Sequence, residues 1–496
     1  MTAFLMRKSV FLYLFCAFIS LNLYAEVPKT EIRAVWLTTI YGLDWPKRPA
    51  KTEMEYKRQQ RELCVLLDSL QEANFNMILL QVRLRGDVIY RSAIEPASKV
   101  FSGQYGVMPG YDPLTFAIEE CHKRGMECHA WFVTFPVGAE KTVNEQGKRS
   151  IVKRRPELCK RHNGEWYLDP GVPETRTYLR SLVKELISNY EVDGIHFDYI
   201  RYPEQAHRFP DKAVHRKYGK NKSLAEWRRD NISLLVSEVY DDVKKLKPWV
   251  QVSSSPLGKF SRIPKHPNAG WTAYESVYQD VRKWLQDGKH DMIVPMMYYL
   301  YNDFFPFVDN WVENSNGRYI VPGLGAYRME NSEGNWELNH LTDQIDYSRS
   351  FGANGASYFR ADNVMNNDKG LFSELKHTYY KYPAMLPPLT WLSNEQPVSP
   401  DEIKVERIGN ELKLSWEQPE GSEAAYYTVY FSQSDTLQTE SPQSILATGV
   451  RSTVLYLPVN GTTEQEFSFS VSASSKYRIE GIPSKETYYY YSNYSK

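Results

Sequence analysis

The sequence predicts an α/β protein, a (β/α)8 TIM barrel followed by a small all-β sandwich. Two observations predict it. Across residues 31–382 eight short apolar runs alternate with amphipathic stretches, and from residue 401 the hydrophobic period changes to two. The runs cover 32–40, 76–83, 127–135, 194–200, 250–256, 292–299, 320–326 and 356–360. Each is compact and bounded by turn residues, as strands buried on both faces are. Helical patterns fill the intervals at 54–73, 113–124, 174–190, 224–246, 277–286, 303–312, 339–350 and 371–380. In the first of these, Leu63, Leu66, Leu67 and Leu70 share one stripe. Eight such units suit a closed barrel better than an open sheet, and no Gly-rich phosphate-binding turn follows the first run.

The domain boundaries follow from the same patterns: a barrel at 26–382, a Pro-rich linker at 383–400 and a sandwich at 401–496. In the last part Leu412, Leu414 and Trp416 alternate with polar residues, as do Phe467, Phe469, Val471 and Ala473 with serines, and a turn is expected at Asn410-Glu411. This part resembles a fibronectin type III module, an immunoglobulin-like sandwich, with its early-strand Trp and with Phe467 where such modules carry a tyrosine. The resemblance implies a spacer or binding adaptor rather than a catalyst.

Residues 1–25 read as an export leader. Arg7 and Lys8 precede an apolar run from Val10 to Leu23, and Leu23-Tyr24-Ala25 is an acceptable cleavage site near Ala25. The run is too short to span a membrane comfortably, and no later segment is long enough, so an exported periplasmic or extracellular protein is expected. Lys+Arg and Asp+Glu both number 60, which gives no basic surface for nucleic acid. The 36 Tyr and 12 Trp suit either large cores or rings that stack on sugars. Cys64, Cys121, Cys128 and Cys159 remain after the leader; three pairings are open, and free thiols equally so. Their spacing fits no zinc pattern, so neither a structural metal nor a cofactor is expected, and the oligomeric state is left open.

Chemistry in a (β/α)8 barrel sits at the carboxyl ends of the strands. The fourth run ends Gly194-Ile195-His196-Phe197-Asp198-Tyr199-Ile200-Arg201. With period two, His196 and Asp198 face the barrel interior together, and a carboxyl flanked by Phe197 and Tyr199 suits a general acid. The competing reading is a salt bridge to Arg201 or Arg83. The other strand ends offer substrate-binding candidates: Asp44, Arg83, His129, Trp131, Tyr298, Tyr299, Tyr327 and Arg360. Tyr and Trp faces stack on pyranose rings, and Arg and Asp bind hydroxyls, so a polysaccharide is the expected partner. Glycosidases need two carboxyl groups. Asp362 is the second catalytic candidate, with Asp44 as the other choice, while Asp169 is expected to support the loop before the helix that begins near Glu174.

Several motifs occur in order across the barrel: Glu31-Ile32-Arg33-Ala34-Val35-Trp36-Leu37, Leu43-Asp44-Trp45-Pro46, Gln81-Val82-Arg83, Gly110-Tyr111-Asp112-Pro113-Leu114, Cys128-His129-Ala130-Trp131, Leu168-Asp169-Pro170-Gly171 and Asp193-Gly194-Ile195-His196-Phe197-Asp198. They resemble a family of exported bacterial glycosyl-hydrolase-like barrels, formerly a domain of unknown function. The resemblance implies cleavage of glycan chains, peptide-free peptidoglycan or another amino-sugar polymer among them, with Asp198 as the leading catalytic residue. This chain departs from the family at Val133-Thr134-Phe135-Pro136, where an Asn-Pro-Tyr-Arg-like run is common, and at Met296-Met297, where a Gln precedes the aromatic pair. Both departures remove hydrogen-bonding groups. A looser likeness to chitinase-type barrels stops at Ile200, which stands where those enzymes carry their glutamate acid. A non-catalytic glycan-binding protein is the main alternative. A deacetylase ranks last, because no His/Asp ligand set suggests the metal it needs.

Overall fold

The structure is a computed structural model that describes residues 27–264, 266, 269–433, 436–458 and 465–491; the candidate leader lies outside them. Among the described residues, twelve strands belong to the first part of the chain. Those of the barrel are β1 (Ile32–Leu37), β2 (Met77–Arg83), β3 (Glu127–Val133), β7 (Gly194–Asp198), β8 (Gln251–Ser254), β9 (Met292–Ile293), β10 (Tyr319–Ile320), β11 (Gly323–Leu324) and β12 (Gly355–Tyr358). All pair in parallel, in the order β10-β9-β8-β7-β3-β2-β1-β12-β11. β10 and β11 are two halves of the seventh expected run. The first half pairs with β9 and the second with β12, so the eight runs close into a barrel. Pro322, which has no N–H to donate, stands at the break. The sixth run, expected over 292–299, keeps a regular ladder only at Met292–Ile293, with Pro295 just beyond.

Each strand is apolar on both faces because each face meets a different core. Alternate residues Ile32, Ala34, Trp36, Met77, Leu79 and Trp131 fill the barrel interior. Their neighbours Val35, Leu37, Ile78 and Leu80 meet the helices, where Leu63, Leu67 and Leu70 of the first helix (Glu53–Glu72) supply the expected stripe. Thr52 and Glu55 close a capping box at that helix's start. Gly194 opens β7 because a side chain there would lie 2.3 Å from the His129 ring. One unexpected element follows β3: strands β4 (Pro136–Ala139), β5 (Cys159–His162) and β6 (Glu165–Leu168) form an antiparallel sheet in the order β4-β6-β5. It projects from the carboxyl end of β3, on the side where chemistry is expected.

Two antiparallel sheets complete the chain. One holds β13 (Asp401–Ile408), β14 (Glu411–Glu417) and β17 (Val454–Pro458); the other holds β15 (Tyr426–Ser432), β16 (Ile445–Val450), β18 (Gln465–Ser474) and β19 (Thr487–Tyr491). Leu412, Leu414, Trp416, Val429, Phe469 and Val471 form their core, on the alternation the sequence carries. The β13–β14 turn sits at Gly409-Asn410, one residue earlier than expected, because Gly409 supplies the left-handed conformation (φ 61°).

These sheets pack on the amino-terminal end of the barrel. Arg478 is buried and donates to both carboxylate oxygens of Glu127, at the start of β3, and to Gln251 at the start of β8 (3.1 Å). Burial pushes the Glu127 carboxyl up, but Arg478 and His129 outweigh it and hold it below its ordinary value. Arg451 reaches Asp193 at 2.9 Å. Backbones touch directly at Gly125 and Gly449: a side chain on either would meet the other segment within 2.4 Å. The linker is packed too, with Leu389 buried and the Trp391 indole donating to Asp291 at 2.9 Å.

Candidate active site

Asp198 ends β7 at the carboxyl mouth and is 5% exposed. Its Oδ2 accepts from the Trp131 indole at 3.1 Å and its Oδ1 from the Tyr199 N–H at 2.7 Å. Burial pushes this carboxyl above its ordinary value. The Arg201 charge and the two donors oppose that shift without cancelling it. A carboxyl so placed holds a proton at higher pH than a surface aspartate does, as a general acid requires.

His196 shares the interior face with Asp198 but lies deeper. Its Nε2 accepts from the Trp36 indole (3.2 Å), and its Nδ1 faces Ser253 (2.9 Å). Trp36 can only donate, so the His196 proton resides on Nδ1. Burial holds its pKa well below the ordinary value, and the ring is a neutral spacer beneath the site. His129 is deeper still, fully buried and 2.8 Å from Glu127, at the end the C-terminal sheets cover.

Arg83 is also removed from the mouth. A register irregularity between Gln81 and Arg83 breaks the period of two, and Arg83 stacks over the outward-facing Phe132 (5.1 Å). There it is fully buried and pairs through two nitrogens with Glu95. It is therefore unavailable to pair with Asp198.

Asp44, Arg360 and Asp362 form one cluster at the β1 and β12 ends. Asp44 is buried and saturated: it accepts from the Thr38 N–H (2.7 Å) and hydroxyl, from Arg360 and from the Asp362 N–H (3.0 Å). Asp362 is held by Lys47 at 2.8 Å. It lines a groove of about 410 Å³ with Lys47, Arg58, Glu62 and Leu66, against the first helix. Asp169, as expected, supports its own loop by accepting from the Gly171 N–H at 2.9 Å; burial pushes its carboxyl up to about 6.

Among the aromatic candidates, Trp131 reaches Asp198, and Tyr298 packs edge-on against Tyr327 (5.5 Å) with Phe359 between them and Trp131. Burial and the nearby Asp198 charge push the Tyr298 phenol well above its ordinary value, so it stays a neutral donor. Tyr299 instead meets the Lys259 ammonium (4.8 Å) to one side. The structure brings further residues to the mouth. Arg201 lies over the rings of Tyr199 (4.7 Å) and Trp271 (5.9 Å), and Arg85 pairs with Glu165 of the hairpin at 2.7 Å. Tyr199 and Arg201 lie within the fourth-strand motif, but Trp271 sits in a loop, where no periodicity marks it, and Glu165 opens β6, a strand of four residues too short for its pattern to stand out.

The Glycosyl hydrolase-like 10 family model matches residues 31–316. The chain is 29% identical to glycosyl hydrolase YngK of Bacillus subtilis, over 92% of this chain and 93% of that protein. It is 34% identical to glycosyl hydrolase DigH of Escherichia coli, over 67% of this chain and 83% of that one. The PgaB (BpsB) glycoside hydrolase domain of Bordetella bronchiseptica aligns with a TM-score of 0.49 at 14% identity, covering 70% of this chain and 98% of that one. A barrel whose strand-four carboxyl faces an aromatic mouth, matched from β1 through β9, belongs to the Glycosyl hydrolase-like 10 family.

Proposed function

We propose that this protein hydrolyses glycosidic bonds in a polysaccharide, with Asp198 as the group that protonates the leaving oxygen. The observation that carries the reading is the placement of Asp198, a buried carboxyl with a raised pKa at the open end of the barrel, beside neutral Tyr298 and beneath exposed Tyr199. Membership of a glycosyl hydrolase-like family supports the reaction class. The motif resemblance supports an amino-sugar polymer, such as peptide-free peptidoglycan glycan, and the 1–25 leader supports export to where that polymer lies. For the partner carboxylate the candidates are Asp362, which Lys47 and Arg360 hold in the groove beside the first helix, and Glu165, which Arg85 holds at the hairpin.

The second reading is a glycan-binding protein without turnover, favoured by the engagement of Asp44 and Asp362 in ion pairs. Mass spectrometry of peptide-free peptidoglycan strands incubated with the mature protein and with Asp198→Asn separates the two. New oligosaccharides from the parent alone are expected. Products from neither protein, on that glycan and on a panel of other polysaccharides, would leave the binding reading in place.

A further inference from the structure

The exposed aromatic side chains of the barrel are not scattered. Tyr41, Tyr199, Trp271 and Tyr301 are 81%, 36%, 42% and 47% exposed. Each lies on a segment that leaves the carboxyl end of a strand: β1, β7, β8 and β9 respectively. Phe351, comparably exposed at the end of an outer helix, stacks on Tyr347 at 4.3 Å, and among the described residues only Tyr301 of the four also meets a neighbouring ring, that of His340, edge-on at 5.5 Å.

Three of the four share a second anomaly. Tyr41, Tyr199 and Tyr301 have φ of 58°, 49° and 46°, in the left-handed region that a bulky side chain rarely adopts. Residues held this way against their preference gather where the surroundings fix a side chain for use. Tyr278, also left-handed, has a structural explanation: it takes a hydrogen bond from Arg228 (3.1 Å) and packs on Tyr202. Tyr41 and Tyr199 have no such buried role.

The aromatic platforms alternate with cations. Arg201 is 6% exposed and lies over both Tyr199 and Trp271, and its Nε has no partner in the protein. Arg85, on the segment just beyond β2, is fixed by Glu165 of the hairpin at 2.7 Å. Tyr199, Arg201 and Trp271 therefore make a row of ring, guanidinium and ring beside Asp198, and Tyr41 and Arg85 stand on the segments that follow β1 and β2 at the same end of the barrel. The C–H-rich face of a pyranose is electropositive and matches the negative face of an aromatic ring, while a guanidinium fork serves the equatorial oxygens between two stacked sugars.

We propose that this row binds the substrate as a chain of several sugar units laid across the mouth, so that the protein recognises the interior of a glycan polymer rather than a single terminal sugar. The inference rests on the hydrolase reading for the reaction, but the binding row stands or falls separately.

The test uses the full mature chain carrying Asp198→Asn, titrated calorimetrically with size-fractionated peptide-free peptidoglycan strands, from disaccharide to dodecasaccharide. Affinity is expected to rise with length. Tyr41→Gly and Trp271→Ala, each added to Asp198→Asn, are each expected to cost about tenfold or more in dodecasaccharide affinity, with a smaller loss for the disaccharide. Tyr41→Gly is expected to leave the melting temperature unchanged or raised, because glycine relieves the left-handed backbone; a merely structural tyrosine would lower it. Affinity that does not grow with length, or variants that bind the dodecasaccharide as well as their parent, overturns the row. Cleavage by the Asp198 protein is followed in parallel. Length-dependent binding without cleavage overturns the hydrolase reading and keeps the row; cleavage with length-independent binding does the reverse; absence of both overturns both.

Discussion

The two ends of the barrel are built from the same strands and treated in opposite ways. At the amino end the charges at the interface are paired: Arg478 with Glu127 and Gln251, Arg451 with Asp193, and Asp291 with Lys244 (2.7 Å), Trp391 and the Val252 N–H (2.8 Å). At the carboxyl end Asp198 is desolvated without a cationic hydrogen-bond partner among the described residues, and bulky residues sit exposed in a strained conformation. The difference teaches that one end supplies stability and the other gives some up for chemistry, the division of labour general to this fold.

Breaking the mouth at its centre has the largest expected effect. Asp198→Asn removes the proposed proton donor, and kcat on the cleaved glycan is expected to fall by about 10²–10⁴-fold. The stability sign is opposite. The folded-state pKa of Asp198 is raised, so the native protein loses stability as pH rises from the ordinary aspartate value through the raised one. The variant is therefore expected to melt higher than the parent at pH 7.5, with the gain absent near pH 3. A lower melting temperature at pH 7.5 would mean that Asp198 is a structural anion.

Breaking the amino end comes next. Arg478→Ala leaves Glu127 buried without its partner and is expected to cost about 3–5 kcal/mol in urea unfolding. Turnover per folded molecule should hold. A loss of turnover at full folding would show that the two ends are coupled rather than separate.

Subtler changes sharpen the contrast. Trp131→Phe deletes a donor to the charged form of Asp198, so the carboxyl pKa rises further. The alkaline limb of the kcat/KM profile is expected to move to higher pH by up to about one unit. Movement in the other direction would contradict the proton-donor role. The smallest effect is predicted for Asp362→Asn. Its pair with Lys47 is partly exposed, so stability changes by about 1 kcal/mol or less and the rate by less than about tenfold. A loss of a hundredfold or more would instead make Asp362 the second catalytic carboxyl.

Local chemistry was enough to place much of this. Strands buried on both faces read as apolar runs whatever they pair with, so all eight positions were legible, as was the alternation of Leu412, Leu414 and Trp416. A period of two put His196 and Asp198 on one interior face, and the carboxyl end of a strand marked the end where Asp198 belongs. Depth along the barrel axis was not legible, because it depends on stagger between strands distant in sequence. That stagger left Asp198 at the mouth but sank His196 beneath it and His129 to the far end. The irregularity beside Gln81 turned Arg83 outward, a break that only pairing with β3 reveals. The Glu127–Arg478 pair joins residues 351 positions apart, and the exposure of Tyr41 and Trp271 depends on loops that carry no hydrophobic period. Sequence alone determined which segments are strands and which carboxyl ends the fourth; tertiary structure decided which polar groups are spent on the fold and which are left for a ligand, because burial and partnership are properties of neighbours that the chain brings together only when it closes.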